Sequence, residues 1–283
     1  MGIRGLSRYL KNNICNGVSK ISIQELTGKK IVIDTSIYMY RFNENSEMLE
    51  NFYSMILLFK RMKIIPLFIF DGIAPKEKNE TIKERQLERV DAEQKIASLD
   101  DTTQILHTLK RKRTRVCNKE RKLLKELFDK CGIMYQYACG EADSVCAKYV
   151  LSGEAWACLS DDMDLFVYEC PRVIRYFSLV TNTAILYDLP VILDELDMSF
   201  NTFQTICILS GTDYNKTSYD LEHIMSLHKT KTMDTIEYDS NVIENLKELF
   251  TFNANDSYNT IKLNTVDKCN LRSFLEANNF VFI

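Results

Sequence analysis

The 283-residue sequence predicts an α/β protein whose central, mostly parallel sheet is flanked by helices. Three observations carry that prediction. Short β-branched or aromatic runs, such as KKIVI at 29–33 and PLFIF at 66–70, end at an aspartate. Segments with helical spacing separate such runs, and strand–helix–strand alternation implies a parallel sheet covered on both faces. A long charged stretch, 76–130, carries no strand signal and interrupts the alternation as a helical excursion.

In chain order, the strand at 29–33 is followed by a helix over 47–63 and the strand at 66–70. The excursion 76–130 breaks into helices with apolar residues at helical spacing, such as Leu123, Leu124, Leu127 and Phe128. GIMYQY at 132–137 and AWACLS at 155–160 read as two more strands, with a helix at roughly 141–152 between them. Residues 165–187 read as further short strands ending in a hairpin around Thr181 and Asn182, and from about 194 the pattern turns helical. This divides the chain into a core, 1–193, containing the insertion at about 76–130, and a helical C-terminal region, 194–283.

Composition sets the class. Apolar residues make up 46% and charged residues 27%, ordinary values for a soluble globular protein. No apolar run approaches the ~20 residues of a membrane span, and MGIRGLSRYLKNN lacks the apolar stretch of a signal peptide. The nine cysteines are odd in number, scattered and free of CxxC, which argues against a disulfide framework or a zinc site and for a reducing, intracellular setting. Net charge is −3, but Lys110 to Lys125 holds nine Lys or Arg against one acid, Glu120. An acidic pocket beside a basic flank suits a polyanion held through metal ions.

The acids themselves are the main functional signal. Asp34 in IVIDTS, Asp71 in LFIFDG, Glu141 and Asp143 in GEADS, Asp162 and Asp164 in LSDDMD, and Asp213 in LSGTDY occupy contexts that read as strand ends. In parallel sheets the ligand site lies beyond the carboxyl ends of the strands. Carboxylates at the rim of an apolar core are costly unless a cation holds them. Mg²⁺ and Mn²⁺ take oxygen ligands, and two such ions ~3.5–4 Å apart can activate water and stabilise a leaving oxygen. Other chemistries are poorly supported. Asp161–Asp164 lacks the glycine and glutamate of an EF-hand loop, the only histidines (His107, His223, His228) sit in helical or charged surroundings, and no phosphate-binding glycine loop occurs.

Read in order, six blocks resemble the flap endonuclease or XPG family of structure-specific 5′ nucleases: MGIRGLSRYL, IVIDTSIYMY, FIFDGIAPKEK, CGIMYQYACGEADSVCA, LSDDMDLFVY and CILSGTDY. The resemblance covers most of residues 1–214. It implies a PIN-like 5′-nuclease fold, a helical gateway and arch at 76–130, and two Mg²⁺ ions, with Mn²⁺ as a substitute. Asp34, Asp71, Glu141 and Asp143 would hold or orient the first ion, and Asp162, Asp164 and Asp213 would serve the second. Lys78 and Arg85 match the family's two cationic catalytic residues, neutralising charge on the scissile phosphate. Tyr40 matches a base-stacking position, and Gly2 an N-terminal glycine that reaches the substrate backbone. Arg111, Arg113, Arg115, Lys119 and Lys122 would supply phosphate contacts in the arch.

The implied substrate is DNA with a 5′ flap or junction, cleaved endonucleolytically or from the 5′ end, by a monomer acting in the nucleus, the cytoplasm or a viral replication site. Alternatives are a catalytically weak nucleic-acid- or protein-binding relative, and a PIN-like RNase. The chain departs from the family after GTDY, where NKTSYDLEHIMSLHKTK lacks the glycine turn that grips duplex and a monovalent ion. The segment between Tyr40 and Lys60 is short, and no sliding-clamp peptide of the QxxLxxFF type occurs. These losses fit a compact, diverged member of the kind a large DNA virus would carry.

Overall fold

A computed structural model of the chain describes residues 2–43, 47–73, 75–97, 116–217, 219–232, 235–236, 238–252 and 268–280. Its chain order begins with α1 (Leu6–Asn13), β1 (Val18–Ser22), β2 (Lys30–Asp34), α2 (Thr35–Phe42), α3 (Met48–Arg61) and β3 (Ile65–Phe70). A 3₁₀ turn, Lys76–Lys78, leads into α4 (Asn79–Ala97), and α5 (Asn118–Cys131), β4 (Met134–Tyr137), α6 (Ala142–Leu151) and β5 (Ala157–Leu159) follow. Next come β6 (Arg172–Ser178), β7 (Thr183–Asp188), α7 (Leu189–Glu195), α8 (Phe200–Leu209), α9 (Leu221–Lys229), α10 (Ser240–Glu248) and α11 (Lys268–Ala277).

The sheet runs in the order β1-β7-β6-β5-β2-β3-β4. Strand β2 lies parallel to β3 and β5, β3 to β4, and β5 to β6, while β7 is antiparallel to both β6 and β1. Alternation along β2 builds the two layers. Val32 joins one apolar cluster, with Leu67, Cys158, Val173 and residues of α1, α6 and α8. Ile31 and Ile33 join the other, with Phe68, Phe70, Leu159 and residues of α2, α3 and α5. A period of two sends successive side chains to opposite faces, so a β-branched run such as KIVID is buried on both. The second cluster is dense in rings: Phe128 lies 4.4 Å from Phe68, 5.8 Å from Phe52 and 6.0 Å from Phe70, centroid to centroid.

The predicted parallel sheet and its flanking helices are present, and so is the hairpin, where Asn182 takes a positive φ of 51°. Three expectations need correction. The first is at 165–187: Asp164–Phe166 forms a 3₁₀ turn, and strands start only at Arg172. LFVY has strand-like composition, but the Asp164 carbonyl accepts from Val167 N at 2.9 Å and Tyr168 N at 3.2 Å, which closes the chain into a turn. The second is β1, an edge strand that was not expected; only Ile21 in it is buried, too little to produce a pattern. The third is Asp213, which follows the helix α8 rather than a strand.

Candidate active site

The registers align the strand ends. Asp34 pairs with Ile69, Ile33 with Leu159, and Phe70 with Tyr137, so Asp34, Asp71 and the 160–164 segment emerge at one sheet edge. Asp34 ends β2 and caps α2: its Oδ1 accepts from Ser36 N at 3.1 Å and Ile37 N at 3.4 Å. This satisfies amides left open at the helix start. The Ser160 hydroxyl donates to Asp34 Oδ2 at 3.0 Å and accepts from Asp162 N at 3.1 Å, and Asp164 N donates to Asp162 Oδ1 at 3.1 Å. Ala142 N, in the first turn of α6, donates to Asp71 Oδ1 at 2.9 Å. Glu141 is the N-cap residue of that helix, and Asp143 lies in its first turn.

Burial makes this cluster costly. Asp34, Asp143, Asp162 and Asp164 are only 2–9% exposed, and Asp143 Oδ1 and Asp164 Oδ1 have no hydrogen-bond partner. Desolvation, then the charges of Asp71 and Asp162, raise the Asp34 pKa to about 8. Desolvation and neighbouring acids push Asp143 and Asp164 well above the usual carboxylate range. The couplings cross the cluster, because Asp143 feels Asp162 and Asp34 while Asp164 feels Asp162 and Asp213. Buried acids with unsatisfied oxygens at close quarters are a donor set that fits hard divalent cations. Among the described residues no three of these carboxylates converge on one point as a preformed cage. That suits Mg²⁺, which keeps several waters and takes few direct carboxylates.

Gly2 adjoins the same acids. At its φ of 74°, a Cβ would lie 2.3 Å from Asp162 Oδ1, 2.6 Å from Asp164 Oδ1 and 2.7 Å from Asp164 N. Only a residue without a side chain fits there.

Two cations close the opposite flank. Lys78 Nζ, on a side chain only 9% exposed, is 2.5 Å from Glu141 Oε1 and 3.3 Å from Asp213 Oδ2, and Arg85 Nη2 is 2.7 Å from the same Asp213 oxygen. Burial opposes charge on Lys78, yet Glu141, Asp143 and Asp213 hold its pKa above the ordinary value. Burial likewise opposes ionisation of Asp213, but Lys78 and Arg85 overcome it and keep its pKa low. The Tyr214 hydroxyl donates to Glu141 Oε2, leaving Oε1 for Lys78. Further contacts fasten α4 to the segment after α8. The Thr81 hydroxyl donates to the Asp213 carbonyl at 2.7 Å, and Lys216 pairs with Glu84. Where a glycine turn was expected, Asn215 organises the loop, accepting from Thr212 N and Oγ1 and donating to the Ile208 carbonyl.

Thus all seven acids, Lys78, Arg85 and Gly2 belong to one linked neighbourhood. Tyr40 is half-buried on α2, with the Arg89 guanidinium 5.8 Å from its ring centroid. Lys119 and Lys122 are exposed on α5, whereas Arg111, Arg113 and Arg115 lie outside the described residues. Sequence reading missed Ser160, Thr81 and Tyr214. Only Tyr214 left a signal, its place directly after Asp213.

Residues 1–92 match the family described as the XPG N-terminal domain, and residues 132–213 match the XPG I-region. Flap endonuclease 1 of Saccharomyces cerevisiae (strain ATCC 204508 / S288c) is 29% identical over 258 residues, 84% of this chain and 67% of that protein. Flap endonuclease 1 of Scheffersomyces stipitis is also 29% identical, over 240 residues, 77% of this chain and 62% of the relative. Among solved structures, flap endonuclease-1 from Methanococcus jannaschii superposes with a TM-score of 0.67 at 25% identity, covering 92% of this chain and 90% of that one. The catalytic core of Rad2 in complex with a DNA substrate gives a TM-score of 0.71, covering 98% of this chain and 95% of that one; at 18% identity this likeness is one of fold. Among the described residues, no helix is long and apolar enough to cross a membrane.

Proposed function

This chain belongs to the flap endonuclease/XPG family, and from that membership we propose that it is a divalent-metal-dependent, structure-specific 5′ nuclease. It hydrolyses phosphodiester bonds of DNA at 5′ flaps and junctions, as a monomer, with 5′ exonuclease activity as a close variant. The observation that carries this reading is the buried acidic cluster with two orphaned oxygens, Asp143 Oδ1 and Asp164 Oδ1, flanked by Lys78 and Arg85.

In this reading Asp34, Asp71, Glu141 and Asp143 hold one Mg²⁺, and Asp162, Asp164 and Asp213 serve a second, with Mn²⁺ able to substitute. When bound, the ions supply Lewis acidity at the attacking and leaving oxygens of the scissile phosphate. The protein's own groups do the remaining work. Asp71 is fixed by Ala142 N and Asp34 by Ser160 and the start of α2, so the carboxylates are pre-oriented. Lys78 and Arg85 neutralise negative charge as it builds on the phosphate. Tyr214 holds Glu141 so that one carboxylate oxygen faces Lys78. Tyr40 stacks on the base beside the cut, and residues 194–283 carry duplex contacts, with the Asn215-organised loop standing where relatives place a glycine turn.

The test is a substrate panel: 5′ flap, 3′ flap, nick, gap, blunt duplex, single-stranded DNA and single-stranded RNA, each in Mg²⁺, Mn²⁺ and EDTA, with Asp162→Ala as control. Cleavage of the 5′ flap that disappears in EDTA and in the variant is the expected result. Cleavage surviving EDTA, or a preference for single-stranded RNA, would overturn it. Tight flap binding without turnover in either metal would identify a non-catalytic relative.

A further inference from the structure

Beside the acidic centre stands a strained, exposed tyrosine that the proposed chemistry does not use. Tyr176 lies in β6, where the register with β7 shifts between Arg175 and Ser178, and its φ is 54°. Non-glycine residues rarely adopt that left-handed conformation, and such strain persists only where surroundings impose it, commonly at ligand sites. Here three elements impose it. Tyr176 N donates to Asp161 Oδ1 at 2.7 Å, and its hydroxyl shares a hydrogen bond with Ser7 Oγ of α1 at 2.9 Å. Arg175, itself buried, donates to the Asp161 carbonyl at 2.7 Å and to Ser7 Oγ at 3.0 Å, while Arg41 of α2 donates to Asp161 Oδ2 at 3.2 Å.

The effect is to present a ring that is 38% exposed, with the Lys11 ammonium 3.9 Å and the Arg175 guanidinium 4.8 Å from its centroid. Lys11 is exposed, and no carboxylate among the described residues pairs with it. A lysine on an open helix surface normally wanders; one seated on a ring is already ordered, which lowers what binding must fix. Asp161, the anchor of this arrangement, directly precedes the buried Asp162. A fixed positive charge therefore stands next to a pocket built to take one phosphate through metal ions. A polyanion entering that pocket carries further phosphates past its rim.

We propose that Lys11, held on the Tyr176 ring, is a phosphate-contact site for the backbone of bound DNA beside the acidic centre, an inference that rests on the nuclease reading above. Neither residue lies in the basic stretch 110–125 that the sequence singled out.

The experiment measures binding of a fluorescently labelled 5′-flap duplex by anisotropy, in Ca²⁺ with uncleaved substrate verified on a gel, over a series of KCl concentrations. Lys11→Ala is expected to weaken binding several-fold at low salt and reduce the log–log salt slope by about 1, equally for flaps of different sequence. Lys11→Arg should restore both. Tyr176→Leu should reproduce the loss although Lys11 remains, and Tyr176→Phe, which keeps the ring, should not. Thermal melting of Lys11→Ala should match that of the unaltered protein. Unchanged affinity and slope for Lys11→Ala would overturn the proposal, as would a drop in melting temperature with an unchanged slope, which would mark a purely structural tie between α1 and β6. If the unaltered protein binds no flap DNA at any salt concentration, the nuclease reading falls and this site with it.

Discussion

Replacing Gly2 by alanine is the smallest perturbation that tests the acidic centre. The added Cβ would sit 2.3 Å from Asp162 Oδ1 and 2.7 Å from Asp164 N. Ordinary contact begins near 3.4 Å, so the two groups must separate from residue 2 by 1.1 Å and 0.7 Å. Asp164 N is tied to Asp162 Oδ1, so the two acids cannot move independently. The φ of 74° adds a left-handed penalty of roughly 1–2 kcal/mol for a residue bearing a side chain. Ile3 and Leu6, both buried, anchor the segment just downstream and limit how far it can swing away. A displacement of about 1 Å at a reacting centre costs about 10²-fold in rate. Gly2→Ala should therefore lower kcat on a 5′-flap duplex about 10²-fold and raise the Mg²⁺ concentration at half-maximal rate. Its melting temperature should fall by only a few degrees. Steady-state kinetics over a Mg²⁺ titration provide the assay. A variant with unchanged kcat and unchanged Mg²⁺ dependence would refute the claim that residue 2 abuts the working carboxylates.

Further outcomes follow from other parts of the molecule. Lys78→Met should lower kcat by about 10²–10³ while leaving the fold intact, because Glu141 keeps Tyr214 and Asp213 keeps Arg85; single-turnover rates compared with circular dichroism check this. The folded-state pKa of Asp34 is raised from 3.8 to about 8, so the folded protein binds this proton more tightly than the unfolded chain. Its contribution to stability is present below about pH 4 and is lost as pH rises toward 8, with Asp143 and Asp164 acting in the same direction. Asp213, whose pKa is lowered, works the opposite way but only below its ordinary 3.8. Urea midpoints in EDTA should accordingly fall between pH 5 and pH 8, and the stabilisation by added Mg²⁺ should grow over the same interval. An EDTA midpoint that rises with pH would contradict this. Phe128→Ala, at the centre of the ring cluster, should cost about 3–5 kcal/mol in urea unfolding while sparing activity well below the melting temperature.

Much of the centre was legible because its residues obey local rules. Asp34 follows KIVI and Asp71 follows LFIF, and a β-branched or aromatic run that stops at an acid marks both a strand and its end. Lys78 and Arg85 are different. On local grounds they are cations on a charged helix, and only their spacing from Asp71 within a family pattern singles them out. What stayed hidden depends on contacts between distant segments. Ser160 meets Asp34 across 126 positions, Tyr214 meets Glu141 across 73, and Gly2 meets Asp162 across the length of the core. No window of sequence holds such pairs. LFVY was misread because a buried turn and a buried strand call for the same apolar residues, and the hydrogen bonds to the Asp164 carbonyl decide between them.

The fastening of α4 to the segment after α8 has a consequence for chimeras. Lys78, Thr81, Glu84 and Arg85 all reach residues 213–216, although some 130 positions separate the two segments. An arch exchanged between relatives with its junction at Lys76 would remove half of that joint and orphan Asp213. The serviceable junction lies beyond Arg85, where α4 has left the acidic centre. A designer who wants another arch should keep the first two turns of this helix together with the Asp213 loop, and graft only what lies above them.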